Sequence, residues 1–308
     1  MKAPDFAGAS QEVLAFLHAR LGMDLWMVTR TDDEDWVVLA ADHDGGYGVG
    51  PGDVFRWADT FCSRMVRGEG PRIAPRAAEV ASYADAPIAR QLDIAAYVGV
   101  PLFDAEGRLF GTLCGLSRKP MPAAIVEEQS MVEVLADVLS GLLRAELQTT
   151  ALAREAEAAR SGPHADALTG LANRRGLEHA IAIEDERCRR YGATACIVAI
   201  ELDGARQAAN DATARDELAV RAAQALRHTV RRPDTLARLE GERFAVLGVE
   251  CTTAEALALL RRLEQGLSAA GAPASLGMAM RNRSTGLAET FERAQDAMEE
   301  HRDARARG

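Results

Sequence analysis

From about Ala123 to residue 160 the chain carries one helical pattern almost forty residues long, and this feature constrains the fold most. Leu135, Val138, Leu142, Ala145, Thr149, Leu152, Ala156 and Ala159 recur at alternating spacings of three and four, the repeat of a parallel coiled coil between two copies. The expectation is an amphipathic helix that packs on its own domain over its first half and pairs with a second copy beyond Leu143. The seam turns alanine-rich near its end, so the pairing is weak by itself. Ser161-Gly162-Pro163 then breaks the helix.

The pattern separates two halves of different surface character. Residues 1–160 hold 15 basic and 24 acidic residues, and residues 161–308 hold 21 and 22. The length of 308 residues suits two domains. The net charge of −10 argues against a nucleic-acid polymer as partner, which calls for a basic face. No apolar run reaches the roughly 18 residues of a membrane helix, and the first ten residues lack a signal core, so the expectation is a cytoplasmic chain with no membrane partner. The five cysteines, Cys62, Cys114, Cys188, Cys196 and Cys251, form no CxxC or Cys/His cluster, which speaks against structural zinc and for reduced thiols.

In the first half, Ser10 is a candidate cap for a helix reaching Leu21, with Val13, Leu14, Leu17 and Leu21 on one face. Strands at Leu25–Thr29 and Trp36–Ala40 flank an acidic hairpin tip. A glycine-rich loop, Asp44–Gly52, leads to a helix near Trp57–Val66. Ile94–Phe103 and Arg108–Leu116 flank a turn in which Gly107 supplies positive φ, an antiparallel hairpin. Alternation along it sets Val98, Val100 and Leu102 opposite Tyr97, Gly99 and Pro101. It also sets Phe110, Thr112, Cys114 and Leu116 together on one face.

The second half alternates helix and strand: helix Arg174–Tyr191, strand Ala195–Leu202, a helix through Leu218 and Leu226, a hairpin of Leu236–Leu239 with Phe244–Val249, a helix through Leu257 and Leu267, strand Ala274–Met280, and a last helix through Leu287 and Met298. The fold class expected is α/β (α+β): an antiparallel sheet with helices, the long connecting helix, then a mixed sheet covered by helices.

The stretch Asp166-Ala-Leu-Thr-Gly-Leu-Ala-Asn-Arg-Arg175 resembles the opening motif of the diguanylate cyclase (GGDEF) family, and the similarity extends to Arg302. The resemblance implies an enzyme that joins two GTP molecules into cyclic di-GMP as a homodimer, with Mg²⁺ as cofactor. Carried over by position, Glu201 and Glu242 are implied metal ligands and Asp203 a further acidic position. Asn210, beside Asp211, and Asp216 are implied guanine readers, and Arg302 a phosphate contact. Ala205, Arg206 and Ala306 depart from the pattern, and Arg305 and Arg307 are candidate substitutes for the second basic residue. The signature turn reads Glu240-Gly241-Glu242-Arg243-Phe244. Glu240 replaces a glycine, and Arg243 reverses a charge. An inward Glu240 would repel a triphosphate. These departures imply a degenerate domain that binds nucleotide or a partner with little turnover; the alternative is a sensor-regulated cyclase.

Arg231-Arg232-Pro233-Asp234 fits the family's RxxD product site, where Arg231 and Asp234 would bind cyclic di-GMP; a helix-terminal salt bridge is the other reading. Residues 8–146 resemble a GAF sensor domain through Tyr97–Leu102, Asp104–Gly107 and Leu109–Leu116, with Phe61-Cys62 upstream. The sequence leaves its ligand unknown. The pocket wall has few charged residues, so the expectation is a small, mostly apolar ligand or an empty cavity, with Cys62 and Cys114 facing that pocket or each other, as a redox pair or as packed thiols. The domain expectation is residues 1–146 for the sensor, the helix continuing to 160, and 161–308 for the degenerate GGDEF domain. The downstream protein partner is left open.

Overall fold

The alternating strands and amphipathic helices of the second half and the long helix of the first are all present in the computed structural model, which describes residues 5–32, 34–43, 46–159, 164–203 and 212–307. Residues 153–159 and 307 are described in backbone only. Ser161-Gly162-Pro163, Ala205, Arg206, Asn210 and Asp211 lie outside the described residues. The chain divides into two compact units, Met1–Thr150 with Arg190–Gly192, and Ala151–Arg189 with Ala193–Gly308.

In the first unit, α1 spans Phe6–Leu21. Its cap is Asp5, whose carboxylate accepts from Gly8 N at 2.9 Å, and not Ser10 as the sequence suggested. Ser10 is buried one turn in, and its hydroxyl donates to Phe6 O. Next come β1 (Leu25–Asp32), β2 (Asp35–His43) and β3 (Val54–Arg56), a 3₁₀ turn at Trp57–Asp59 and α2 (Phe61–Val66). Then follow β4 (Ile73–Ala74), α3 (Ala81–Ala84), α4 (Pro87–Gln91), β5 (Ala96–Phe103) and β6 (Leu109–Ser117). The six strands form one antiparallel sheet in the order β3-β2-β1-β6-β5-β4.

Alternation assigns the faces of the β5–β6 hairpin except at one residue. The register slips between Leu102 and Phe103, so Leu102 pairs with Gly111 and Phe103 with Leu109. Phe110 is the extra residue of this bulge, and it turns to the Val100 and Leu113 side, where it meets Phe6 edge-on at 6.1 Å. Strict alternation had placed it with Cys114.

After a 3₁₀ segment at Ala123–Glu128, α5 runs unbroken over Gln129–Ala159. Val132, Ala136, Leu139 and Leu143 face the core with α1 and the sheet. Seam positions Leu135 and Leu142 lean partly against that core, while Val138 and Leu152 are 53% and 60% exposed.

In the second unit, α6 (Arg174–Tyr191), β7 (Ala195–Leu202), α7 (Ala212–Thr229), β8 (Thr235–Arg238), β9 (Arg243–Val249), α8 (Thr253–Ala269), β10 (Ala274–Met280) and α9 (Gly286–Arg307) follow in order. The sheet order is β10-β7-β9-β8. Its strands pair antiparallel, and an isolated bridge between Ala172 and Ala237 adds a parallel contact. The period of two divides β7: Cys196, Val198 and Ile200 pack with α7 and α8, and Ala195, Ile197 and Ala199 with α6 and α9. Gly277 lets the backbone of α9 approach β10, since a Cβ there would collide with Met298 N and Ala294 O.

Candidate functional site

The signature turn closes the β8–β9 hairpin. Arg243 N donates to Glu240 O at 3.1 Å, and Gly241, at φ 58°, fills the first central position, where such hairpin turns need glycine. Arg238, two residues before the turn, donates from Nε and Nη2 to Gly241 O at 3.1 and 2.9 Å. Its Nη1 reaches Asp166 Oδ1 at 3.3 Å. Asp166 also accepts from Thr169 N and Thr169 Oγ1. Burial raises the Asp166 pKa, but these bonds and the Arg238 charge outweigh it and hold the carboxyl below its ordinary value. The opening motif therefore props up the signature turn through Arg238. Nothing in the local sequence announced that role, because the pairing spans 72 positions.

Glu240 is exposed and points to Arg174, Nη2 to Oε1 at 3.5 Å, so the inward Glu240 considered from sequence is not what the fold presents. Glu201, the penultimate residue of β7, lies directly opposite Arg243. Its Oε2 lies 3.3 Å from Arg243 Nε, and Arg302 Nη1 reaches both carboxylate oxygens at 3.4 and 3.3 Å. Asp203 accepts from Ser275 Oγ at 2.9 Å and pairs with Arg305 Nη1 at 3.0 Å. Glu242 stands half-buried in the turn, its carbonyl accepting from Leu202 N at 3.1 Å. Strand pairing thus sets Glu201 beside Arg243 and next to the Glu242 turn, while α9 brings Arg302 to Glu201 and Arg305 to Asp203. Asp216 is exposed on α7. Among the described residues, no group of three or more His, Cys, Asp or Glu side chains is placed to hold a metal ion.

At the RxxD segment, Asp234 is committed to backbone. It accepts from Arg231 N at 3.1 Å and Val249 N at 3.2 Å. Burial raises its pKa against these bonds. The Arg231 side chain instead meets Glu255 of α8, Nη2 to Oε1 at 3.2 Å. Arg231, Asp234, Cys251, Glu255 and Arg262 line a small pocket.

In the first unit, Cys62 and Cys114 are buried on the face that carries Tyr97. Tyr97 Oη donates to Cys62 Sγ at 3.4 Å. Burial alone would raise the Cys62 thiol; bonds from Cys114, Thr112 and Tyr97 outweigh it and hold the pKa low. Cys114 is pushed up by burial and by Cys62. On the same face Phe61, Tyr83 and Tyr97 interlock, with ring centroids 4.7 to 5.5 Å apart.

Residues 5–143 match the family model described as GAF domain, and residues 163–306 match the one described as Diguanylate cyclase, GGDEF domain. The chain is a GAF–GGDEF protein. In this GAF–GGDEF chain the carboxylate and arginine cluster, the signature turn and the RxxD segment all fall inside the GGDEF match, and Cys62 and Cys114 inside the GAF match. The diguanylate cyclase DgcP of Escherichia coli K12 is 26% identical over 190 residues, 59% of this chain and 54% of that protein. The probable diguanylate cyclase DgcC of the same organism is 30% identical over 106 residues, 33% of this chain and 28% of its own length. The chain therefore spans about half, or less, of these curated relatives. The solved GGDEF domain of DgcB from Caulobacter crescentus, in complex with c-di-GMP, aligns with a TM-score of 0.44 and 21% identity, over 47% of this chain and 93% of that one.

Proposed function

We propose that this GAF–GGDEF chain is a cyclic di-GMP signalling protein whose GGDEF domain is degenerate, binding nucleotide or a partner with little or no turnover. The observation that carries the reading is the pairing of Glu201 with both Arg243 and Arg302. A diguanylate cyclase needs divalent metal beside its GTP, and the first implied ligand here already faces two guanidinium groups. Arg305 similarly neutralises Asp203. A magnesium ion would have to displace these arginines, so the donor set does not fit it, and no catalytic step is assigned through metal.

The remaining chemistry is recognition. Arg302 and Arg305 are guanidinium groups that can reorient from carboxylate to phosphate, and Arg231 can do so at the RxxD pocket. The exposed Val138 and Leu152 on α5 support assembly as a homodimer through the helix, with the GAF domain as its sensor. The lack of an apolar helix long enough to cross a membrane, among the described residues, fits a cytoplasmic location.

A sensor-regulated cyclase is the second reading. It is favoured by Gly241 and Glu242, which keep the turn and its acidic position. The deciding experiment incubates the full chain with GTP and Mg²⁺ or Mn²⁺ and resolves the products by chromatography, alongside nucleotide-binding calorimetry. Binding without cyclic di-GMP supports the degenerate reading; robust turnover overturns it.

A further inference from the structure

Two cysteines that neither half of the functional reading uses lie against each other beneath the RxxD pocket. Cys251 Sγ is 3.3 Å from Cys196 Sγ, and both thiols are free and buried. Cys196 sits in β7 opposite Gly248 of β9. Glycine there makes the room, since a Cβ on Gly248 would stand 2.8 Å from the Cys196 sulfur. Glu250, at φ 48°, turns the chain back so that Cys251 returns over the sheet and its N donates to Thr194 O at 3.3 Å. Cys251 also lines the pocket that holds Arg231, Asp234 and Glu255, and at 5% exposure against 0% for Cys196 it is the thiol of the pair nearer the surface.

We propose that Cys196 and Cys251 are an oxidative-modification site that closes to an intrachain disulfide and fixes the floor of the RxxD pocket. A disulfide needs a sulfur separation of about 2.05 Å, so the sulfurs must close by about 1.3 Å from their 3.3 Å spacing. With a peroxide as oxidant, the Cys251 sulfur attacks one peroxide oxygen. An S–O bond forms, the O–O bond breaks, and the departing oxygen leaves as water. The Cys196 sulfur then attacks the Cys251 sulfur; an S–S bond forms, the S–O bond breaks, and hydroxide departs with the Cys196 proton as a second water. Two thiols supply two electrons and one peroxide accepts them. The neighbouring Cys196, burial, and the charges of Asp234 and Glu255 all push the Cys251 thiol up, so the first step is slow at neutral pH.

The consequence falls on α8. Cys251 immediately precedes Thr252, the cap of that helix, and Thr252 and Glu255 hold each other in a capping box. Glu255 is the partner of the Arg231 guanidinium. A disulfide at Cys251 therefore restrains the helix start from which the RxxD arginine is held.

The test treats the full chain with millimolar hydrogen peroxide over hours and maps its peptides without reduction. A cross-linked peptide pair containing Cys196 and Cys251, reversed by dithiothreitol and absent from Cys251→Ser, is expected. In Cys196→Ser, Cys251 should stop at the sulfenic acid and be trapped by dimedone. Amide exchange over residues 250–256 should slow on oxidation and recover on reduction. Wild-type chain whose Cys251 is dimedone-labelled without cross-linking, or whose Cys251 pairs with another cysteine, overturns the disulfide. Unchanged exchange in the cross-linked chain overturns its coupling to the pocket.

Discussion

Arg243 Nε, at the start of β9, stands 3.3 Å from Oε2 of Glu201, its direct cross-strand partner in β7. The two residues are 42 positions apart in the chain, and only the antiparallel register makes them neighbours. The guanidinium thereby meets the carboxylate to which the family resemblance assigns metal. With Glu201 24% and Arg243 38% exposed, the pair is too open to be a large source of stability. Its weight is on what the site can bind.

Wild-type chain should therefore form little or no cyclic di-GMP. Combining Glu240→Gly with Arg243→Glu restores the family's signature and removes a cation from Glu201, so some product should appear by chromatography with GTP and Mg²⁺. Robust cyclic di-GMP formation by the wild-type chain would overturn the assignment of the defect to these two residues.

At the RxxD pocket, Arg231 must leave Glu255 before it can grip phosphate. Arg231→Ala should weaken cyclic di-GMP binding by on the order of 2–4 kcal/mol in calorimetry, the worth of two charge-assisted contacts. Glu255→Gln removes the competing charge but keeps a residue suited to the capping box, so it should tighten binding. No binding by the native chain would leave Arg231 and Glu255 as a structural ion pair.

The α5 face predicts the state of assembly. The chain should be a homodimer by light scattering at tens of micromolar, where a contact of about 8 kcal/mol is mostly formed. Val138→Glu with Leu152→Glu alters two exposed positions, so it should give a folded monomer. A wild-type monomer at that concentration would remove the seam as a strong interface.

Stability should depend on a different pair. Arg281, 4% exposed, donates from Nε to Asp185 Oδ1 at 2.8 Å, and Asp185 also accepts from Leu287 N at the start of α9. Burial raises the Asp185 pKa, but Arg281, Leu287 N and Arg189 outweigh it and lower the net value. The folded pKa lies below the unfolded one, so the stabilisation is complete above the ordinary carboxylate range and is lost as pH falls through the lowered value. Asp185→Asn leaves a buried guanidinium without its counter-charge and should cost about 3 kcal/mol at pH 7 in urea unfolding. The difference from wild type should narrow in strongly acidic solution; a constant difference would locate the effect elsewhere.

Local pattern was enough to determine the elements of the second half. Strands Ala195–Leu202 and Ala274–Met280 and helix Arg174–Tyr191 end where their apolar periodicity ends, because each element must bury its own face. The signature turn was legible for the same reason, since Gly241 supplies a conformation that other residues resist. Tertiary structure alone decided which polar side chains meet. Glu201 with Arg243 and Arg302, Arg238 with Asp166, and Cys196 with Cys251 are joined by strand register and helix placement across tens of residues, and no local periodicity encodes those separations. It also decided the side to which Phe110 turns, because one bulged residue reverses the alternation on which a strand's faces are read.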